Sequence, residues 1–250
     1  MPKIYLINVG ANVAHAGVAR SPIFDDGSFE YVSFPDEDSS QEYSSLAQRF
    51  VKSGVHNTHL DPDWKNLTYG DFCKNPRART LLSAKIDDTL LFWGLLWRVP
   101  NRTSSVWESR EKGWYLLGAL RVQCILESAE SLQSLPRDQQ VRLLPNAHVH
   151  DGCVENRPKV RVFLGNRSHS AKFDYGVDLG IYKERSLLRD VVLAKDGRQL
   201  QWYERPRWNS AIRSCRPILD LDDAGDTKRA KILQKSIKAR NPSLDLLAGF

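Results

Sequence analysis

Two long apolar runs constrain this fold more than any other feature. Leu-Leu-Phe-Trp-Gly-Leu-Leu-Trp-Arg-Val spans Leu90 to Val99, and Trp-Tyr-Leu-Leu-Gly-Ala-Leu-Arg-Val-Gln-Cys-Ile-Leu spans Trp114 to Leu126. A polar loop with scattered aromatics separates them. Branched and aromatic residues fit a pleated, buried surface, so the pair predicts a long hairpin inside a sheet or small barrel. The run from Lys3 to Val9 predicts a buried strand at the start of the chain, and Lys159 to Leu164 predicts another. Asp26-Gly27 marks a hairpin turn before the alternating Phe29, Tyr31 and Ser33.

Helices are expected around these strands. Ser44 or Ser45 caps a short one running through Lys52 and closed by Gly54, and a weaker one covers Phe72 to Lys85. A helix or turn is expected between Ser131 and Leu144, and a helix or strand between Arg185 and Leu193. From Asp226, the spacing of Ala230, Leu233 and Ile237 with Lys and Arg opposite predicts an amphipathic helix. The expected class is α+β: a mixed, mostly antiparallel sheet or small barrel-like core with peripheral helices. Residues 1–225 form one domain in this reading, and 226–250 form an amphipathic helix and tail packed on it.

Composition narrows the class. Hydrophobic residues make up 41% and charged residues 26% of the chain, with seven Trp, eight Tyr and nine Phe, which excludes a disordered polymer. The longest apolar run, Leu90 to Leu96, is far short of the ~20 residues of a membrane-spanning helix, so no membrane association is expected. The opening MPKIYLINVG lacks the apolar stretch and small-residue cleavage site of a secretory signal. Cys73, Cys124, Cys153 and Cys215 form no CxxC pair, which argues against a zinc knuckle or disulfide framework and for reduced thiols in the cytoplasm. A formal charge of +6 permits contact with a polyanion, although the same excess also serves solubility alone.

Two clusters hold the residues best suited to chemistry. Thr58-His59-Leu60-Asp61-Pro62-Asp63 places a His and two carboxylates within five residues, and Asn146-Ala147-His148-Val149-His150-Asp151 places two His and an Asp together. In an extended chain residues two apart share a side, so His148 and His150 are expected to project together. Imidazoles and carboxylates are ligands for zinc or non-haem iron, and equally a general acid/base pair. Neither cluster has the spacing of HExxH or of a deaminase motif, so metal and cofactor content stay open, as does a purely turn-forming role.

The loop from Asn8 to Ser21 is a third candidate. Gly10 and Gly17 free its backbone, while Arg20 and Ser21 offer a guanidinium and a hydroxyl to a phosphate or base edge. It has no GxGxxG or Walker pattern, and an ordinary connecting loop is the alternative. Trp93 is the aromatic candidate for a base-holding pocket. Trp202, Arg205, Arg207 and Trp208 interleave rings and guanidinium groups, suited either to nucleic acid or to packing on a core.

Several short motifs follow in a characteristic order. They are Ser21-Pro22-Ile23-Phe24 with Asp26-Gly27, Phe34-Pro35-Asp36, His59-Leu60-Asp61-Pro62-Asp63, Asp88-Thr89-Leu90-Leu91-Phe92-Trp93-Gly94, Leu117-Gly118-Ala119-Leu120 and His148-Val149-His150. The chain up to about Trp208 resembles the third type of nucleotide-modification-associated domain. The resemblance implies an α+β domain of bacteria and phages that modifies a nucleobase in DNA, or recognises a modification there. It carries the family's motifs onto His59, Asp61 and Asp63, and onto His148 and His150. The loop before Ser21 departs from the family pattern in being less Gly-rich.

Three functions follow as expectations. An enzyme acting on a nucleobase or nucleotide requires the two His/Asp clusters to line one cavity, with Arg20 orienting the ligand. A non-catalytic reader of a modified base requires an aromatic-lined pocket near Trp93, Trp97 or Trp114 with few titratable groups. An interaction protein, whose His/Asp loops serve only as structure, requires neither. The expected partners are DNA or a nucleotide, together with other DNA-modification or restriction proteins.

Overall fold

A computed structural model describes residues 2–180, 187, 190, 191 and 215–245. Its strands are β1 (Lys3–Asn8), β2 (Ser21–Phe24), β3 (Thr68–Phe72), β4 (Thr89–Val99), β5 (Lys112–Leu126), β6 (Val160–Gly165), β7 (Ala171–Asp178) and β8 (Arg216–Asp220). The helices are α1 (Ser45–Gln48), α2 (Ala129–Gln133), α3 (Arg137–Leu143), α4 (Ala147–His150), α5 (Cys153–Asn156) and α6 (Ala224–Lys238).

The expected hairpin is the centre of the molecule. β4 and β5 pair antiparallel from Thr89 opposite Arg121 to Trp97 opposite Lys112. Every residue of β4 except Arg98 is buried, which is why the strand reads as a continuous apolar run rather than an alternation. The hairpin is long enough for each half to take its own neighbours. β1 runs parallel to the first half of β4 and β2 parallel to the second. β7 and β6 pair antiparallel with successive stretches of β5, which shifts register between Leu116 and Gly118 and again between Val122 and Cys124.

The full order is β3-β6-β5-β4-β1-β8, with β2 and β7 branching from the central pair. The sheet is mixed, mostly antiparallel and open. The barrel alternative is not realised among the described residues, where the two ends of the order, β3 and β8, are not paired with each other.

Two helical expectations change. α1 stops at Gln48 and Val51 bridges to Ala19 instead of continuing the helix. The stretch expected as helix from Phe72 to Lys85 begins as the end of β3 and holds only one 3₁₀ segment, Arg79–Ser83. Pro76 accounts for the break, since it lacks an N–H and disfavours helical geometry at Asn75. α6 buries Ala230, Leu233 and Ile237 as its periodicity predicts. Among the described residues no helix is long and apolar enough to cross a membrane. All four cysteines are free thiols.

One packing feature fixes the loop that carries the site. Gly118 on β5 leaves room for the Trp64 ring: a Cβ at Gly118 would lie 2.4 Å from it. Trp64 then meets Phe92 of β4 edge-on at 5.3 Å and Tyr31 at 5.9 Å. The residues just before Trp64 are thereby held against the sheet.

Candidate functional site

The last residue of β1, the strand β3, helix α4 and the loops around residues 34–36 and 59–61 enclose a cavity of about 470 Å³. Its wall includes Asn8, Phe34, Asp36, His59, Asp61 and His148. The loops around Pro62 and Val149 therefore meet at one site, although Asp61 and Asn146 stand 85 residues apart in sequence.

Asp61 is the buried anchor. Both of its carboxylate oxygens accept the backbone N–H of Gly70 on β3, at 3.0 and 2.9 Å, and Oδ1 also accepts from Asn146 Nδ2 at 3.4 Å. The Asp61 carbonyl accepts the Tyr31 hydroxyl at 2.6 Å, and the Asp61–Pro62 peptide is cis. Asn146 is the N-cap of α4. Its Oδ1 accepts the His148 backbone N–H at 3.1 Å, and its Nδ2 donates to Thr68 Oγ1 at the same distance. One amide thus joins the carboxylate, the helix start and β3.

The two imidazoles meet above that anchor. His59 Nε2 lies 3.1 Å from His148 Nε2, and His148 Nε2 lies 3.5 Å from Asp61 Oδ2. On its other side His59 presents Nδ1 to Asp36 Oδ2 at 3.5 Å. The Phe34 ring stacks with His59 at 5.0 Å and with His15 at 5.6 Å. Donor atoms of His59, Asp61 and His148 all lie within 4.8 Å of one another, so among the described residues these three form a group that could hold a metal ion.

Burial and charge pull the two histidines apart. Burial disfavours the His148 cation, but the adjoining Asp61 carboxylate and the Cys153 hydrogen bond outweigh it and raise its pKa to about 10. Burial lowers the pKa of His59, and the neighbouring His148 lowers it further against the pull of Asp61 and Asp36. Burial also pushes the Asp61 carboxyl up, opposed by its bonds to His148 and Gly70. His148 in turn draws the Cys153 thiol down. The Asp61 carboxylate thus favours the protonated form of His148, whereas burial favours the neutral form of His59.

Several residues singled out in the sequence lie elsewhere. His150 follows His148 on a helix rather than an extended chain, so the two do not share a side. It is half exposed and contacts Ser40 and Asp151 instead. Asp63 closes the turn before β3, accepting from the backbone of Lys65 and Asn66 and from the Asn66 amide. Arg20 packs over Trp97 at 4.0 Å and donates to the carbonyls of Ala16, Val106, Trp107 and Ser109. Ser21 exchanges hydrogen bonds with the Val32 backbone. Trp93 is fully buried against Trp114 at 4.7 Å. Asn8 does line the cavity, with Nδ2 donating to the Trp93 carbonyl at 3.3 Å. Trp202, Arg205, Arg207 and Trp208 lie outside the described residues.

Other cavity residues carried no signal of their own. Asp71 is buried on β3, accepting the Tyr69 hydroxyl at 2.7 Å and pairing with Arg77 at 3.3 Å. Asp36 stood in the sequence only as part of a motif, and nothing local pointed it at His59.

An open, mixed sheet in an α+β fold, carrying a buried carboxylate and two apposed imidazoles, defines a class of domain with a polar, titratable cavity. The model of the family described as nucleotide modification associated domain 3 matches residues 3–229, and the chain belongs to that family. No curated protein and no solved structure among those compared matches it.

Proposed function

We propose that this protein is an enzyme acting on a nucleobase or nucleotide, in DNA or free, with His59, Asp61 and His148 as its reacting set. The observation that carries the reading is the convergence of these three side chains on one cavity, in a chain whose family is associated with nucleotide modification. A set of two imidazoles and a carboxylate supports proton transfer or metal-assisted chemistry, and both act on the ring atoms and exocyclic groups of bases. The Phe34 ring offers a stacking surface at the cavity wall. Asn8 directs its amide N–H to the Trp93 carbonyl, which leaves its oxygen to accept from a base edge.

A reader that only holds a modified base would favour an aromatic pocket poor in titratable groups. Trp93, Trp97 and Trp114 are instead buried in the core, and the cavity is lined by Asp36, His59, Asp61, Asp71, Arg77 and His148. That difference favours the enzyme reading. DNA as the partner and association with restriction or modification proteins rest on family membership alone.

The test compares nucleosides, by mass spectrometry, in DNA and nucleotide pools of cells expressing the wild type, His59→Gln or His148→Gln. A changed nucleoside in the wild type that reverts in both folded variants supports the proposal. Identical profiles in all three, with the proteins folded and expressed, count against catalysis.

A further inference from the structure

We propose that His59 Nε2, His148 Nε2 and the Asp61 carboxylate hold one divalent first-row transition-metal ion, of the kind that accepts two imidazoles and one carboxylate. The inference deepens the reading above and rests on the same cavity being the reaction site.

Spacing is the first argument. An ion held about 2.0–2.2 Å from each nitrogen and oxygen donor, at tetrahedral or octahedral angles, places neighbouring donors roughly 3–3.5 Å apart. Two of the three separations fall in this range, 3.1 Å between the imidazole nitrogens and 3.5 Å from His148 to Asp61, and all three donors lie within 4.8 Å of one another.

Ring orientation is the second. Two imidazoles hydrogen-bonded end-on would add a ring radius at each end to the nitrogen separation. Here the ring centroids are 4.7 Å apart against 3.1 Å for the nitrogens, with planes at 77°. The rings therefore approach at an angle rather than end-on, as two imidazoles sharing one ion do.

The surroundings are the third. Ligand histidines are characteristically oriented by a partner on their other ring nitrogen, often a carboxylate. His59 has Asp36 there, at 3.5 Å from Nδ1. Asp61 is fixed by Gly70 and Asn146. The cavity side carries no further imidazole or carboxylate within the cluster among the described residues, so water or substrate has access to the remaining coordination positions. Two imidazoles select iron, cobalt, nickel, copper or zinc over magnesium and calcium, which prefer all-oxygen sites.

The experiment uses the full chain, stripped with a chelator and titrated with Zn²⁺ or with Co²⁺ as a spectroscopic probe. The expected result is one equivalent bound, a visible cobalt absorption with nitrogen ligation, and no displacement by a large excess of Mg²⁺. His59→Gln and Asp61→Asn should each weaken binding at least ~100-fold, and Asp36→Ala roughly 10–100-fold, as outer partners do. Melting curves in chelator establish that each variant folds. Absence of saturable one-equivalent binding in the wild type, wild-type affinity in folded His59→Gln and Asp61→Asn, or displacement by Mg²⁺ would each overturn the inference. Nucleoside profiles separate the two proposals. Metal bound with unchanged nucleosides defeats the enzyme reading alone, whereas changed nucleosides from a protein that binds no metal defeat the metal site alone.

Discussion

Gly70 passes directly beneath His148: a Cβ on Gly70 would lie 2.2 Å from the imidazole Cδ2 and 2.9 Å from Cγ. The Gly70 N–H meanwhile holds Asp61. One residue of β3 therefore sets both the height of the imidazole and the position of the carboxylate.

Gly70→Ala should push the His148 ring off Asp61 and His59. Overpacking of this kind costs about 1–3 kcal/mol, so the melting temperature should fall while the fold persists. Imidazole NMR shifts of His148 and His59 should move with it. Unchanged shifts would show that the ring is not held where the structure puts it.

Asn146→Ala removes the α4 cap and leaves Asp61 and Thr68 each short of a donor. Because Asn146 is fully buried, the expected loss is about 1–3 kcal/mol by chemical denaturation. Val141, exposed on α3, is the control: Val141→Ala should cost far less.

The pH dependence of stability, measured with a chelator present, should report His148. Its folded pKa, about 10, lies above the unfolded value near 6.5, so the folded state binds the extra proton. That stabilisation is complete below pH 6.5 and is lost as the pH rises toward 10. The His59 shift has the opposite sign: its neutral form is favoured by folding, and that contribution is lost as the pH falls below 6.5. Denaturation midpoints should therefore decline from about pH 6.5 to about pH 9 in the wild type and decline less in His148→Gln. Equal slopes would show that the His148 proton is not stabilised by Asp61.

Arg20→Ala should lower stability by on the order of 3 kcal/mol, through loss of the stack on Trp97 and of the carbonyl contacts. The ammonium of a lysine cannot reproduce a planar guanidinium fork, so Arg20→Lys should rescue little. Metal or nucleotide affinity measured on the folded fraction should stay unchanged. A selective loss of nucleotide binding would return Arg20 to the ligand site.

Phe34→Ala should weaken nucleotide binding by about 1–3 kcal/mol, as removal of a stacking surface does, with metal binding retained. Calorimetric titration with mononucleotides measures this directly. Equal affinities would remove Phe34 from the proposed base-binding wall.

Much of the sheet was legible in the chain. The Leu90–Val99 run became β4 because a strand buried on both faces has few polar positions, and the Trp114–Leu126 run became β5, which is continuously buried from Leu116 to Leu120. β3 was not legible: its five residues, Thr-Tyr-Gly-Asp-Phe, contain a glycine and an aspartate that local propensity counts against a strand. Both are there for tertiary reasons, one to clear His148 and the other to meet Tyr69 and Arg77.

By itself the sequence determined which residue types were available for chemistry and which segments had to be buried, since both follow from side-chain character and short-range pattern. Only the tertiary structure decided that His59 and Asp61 face His148 while Asp63 and His150 turn away. Those choices depend on a helical turn at α4, a glycine on β3 and a tryptophan seated on β5, contacts between residues far apart in the chain that no local periodicity encodes.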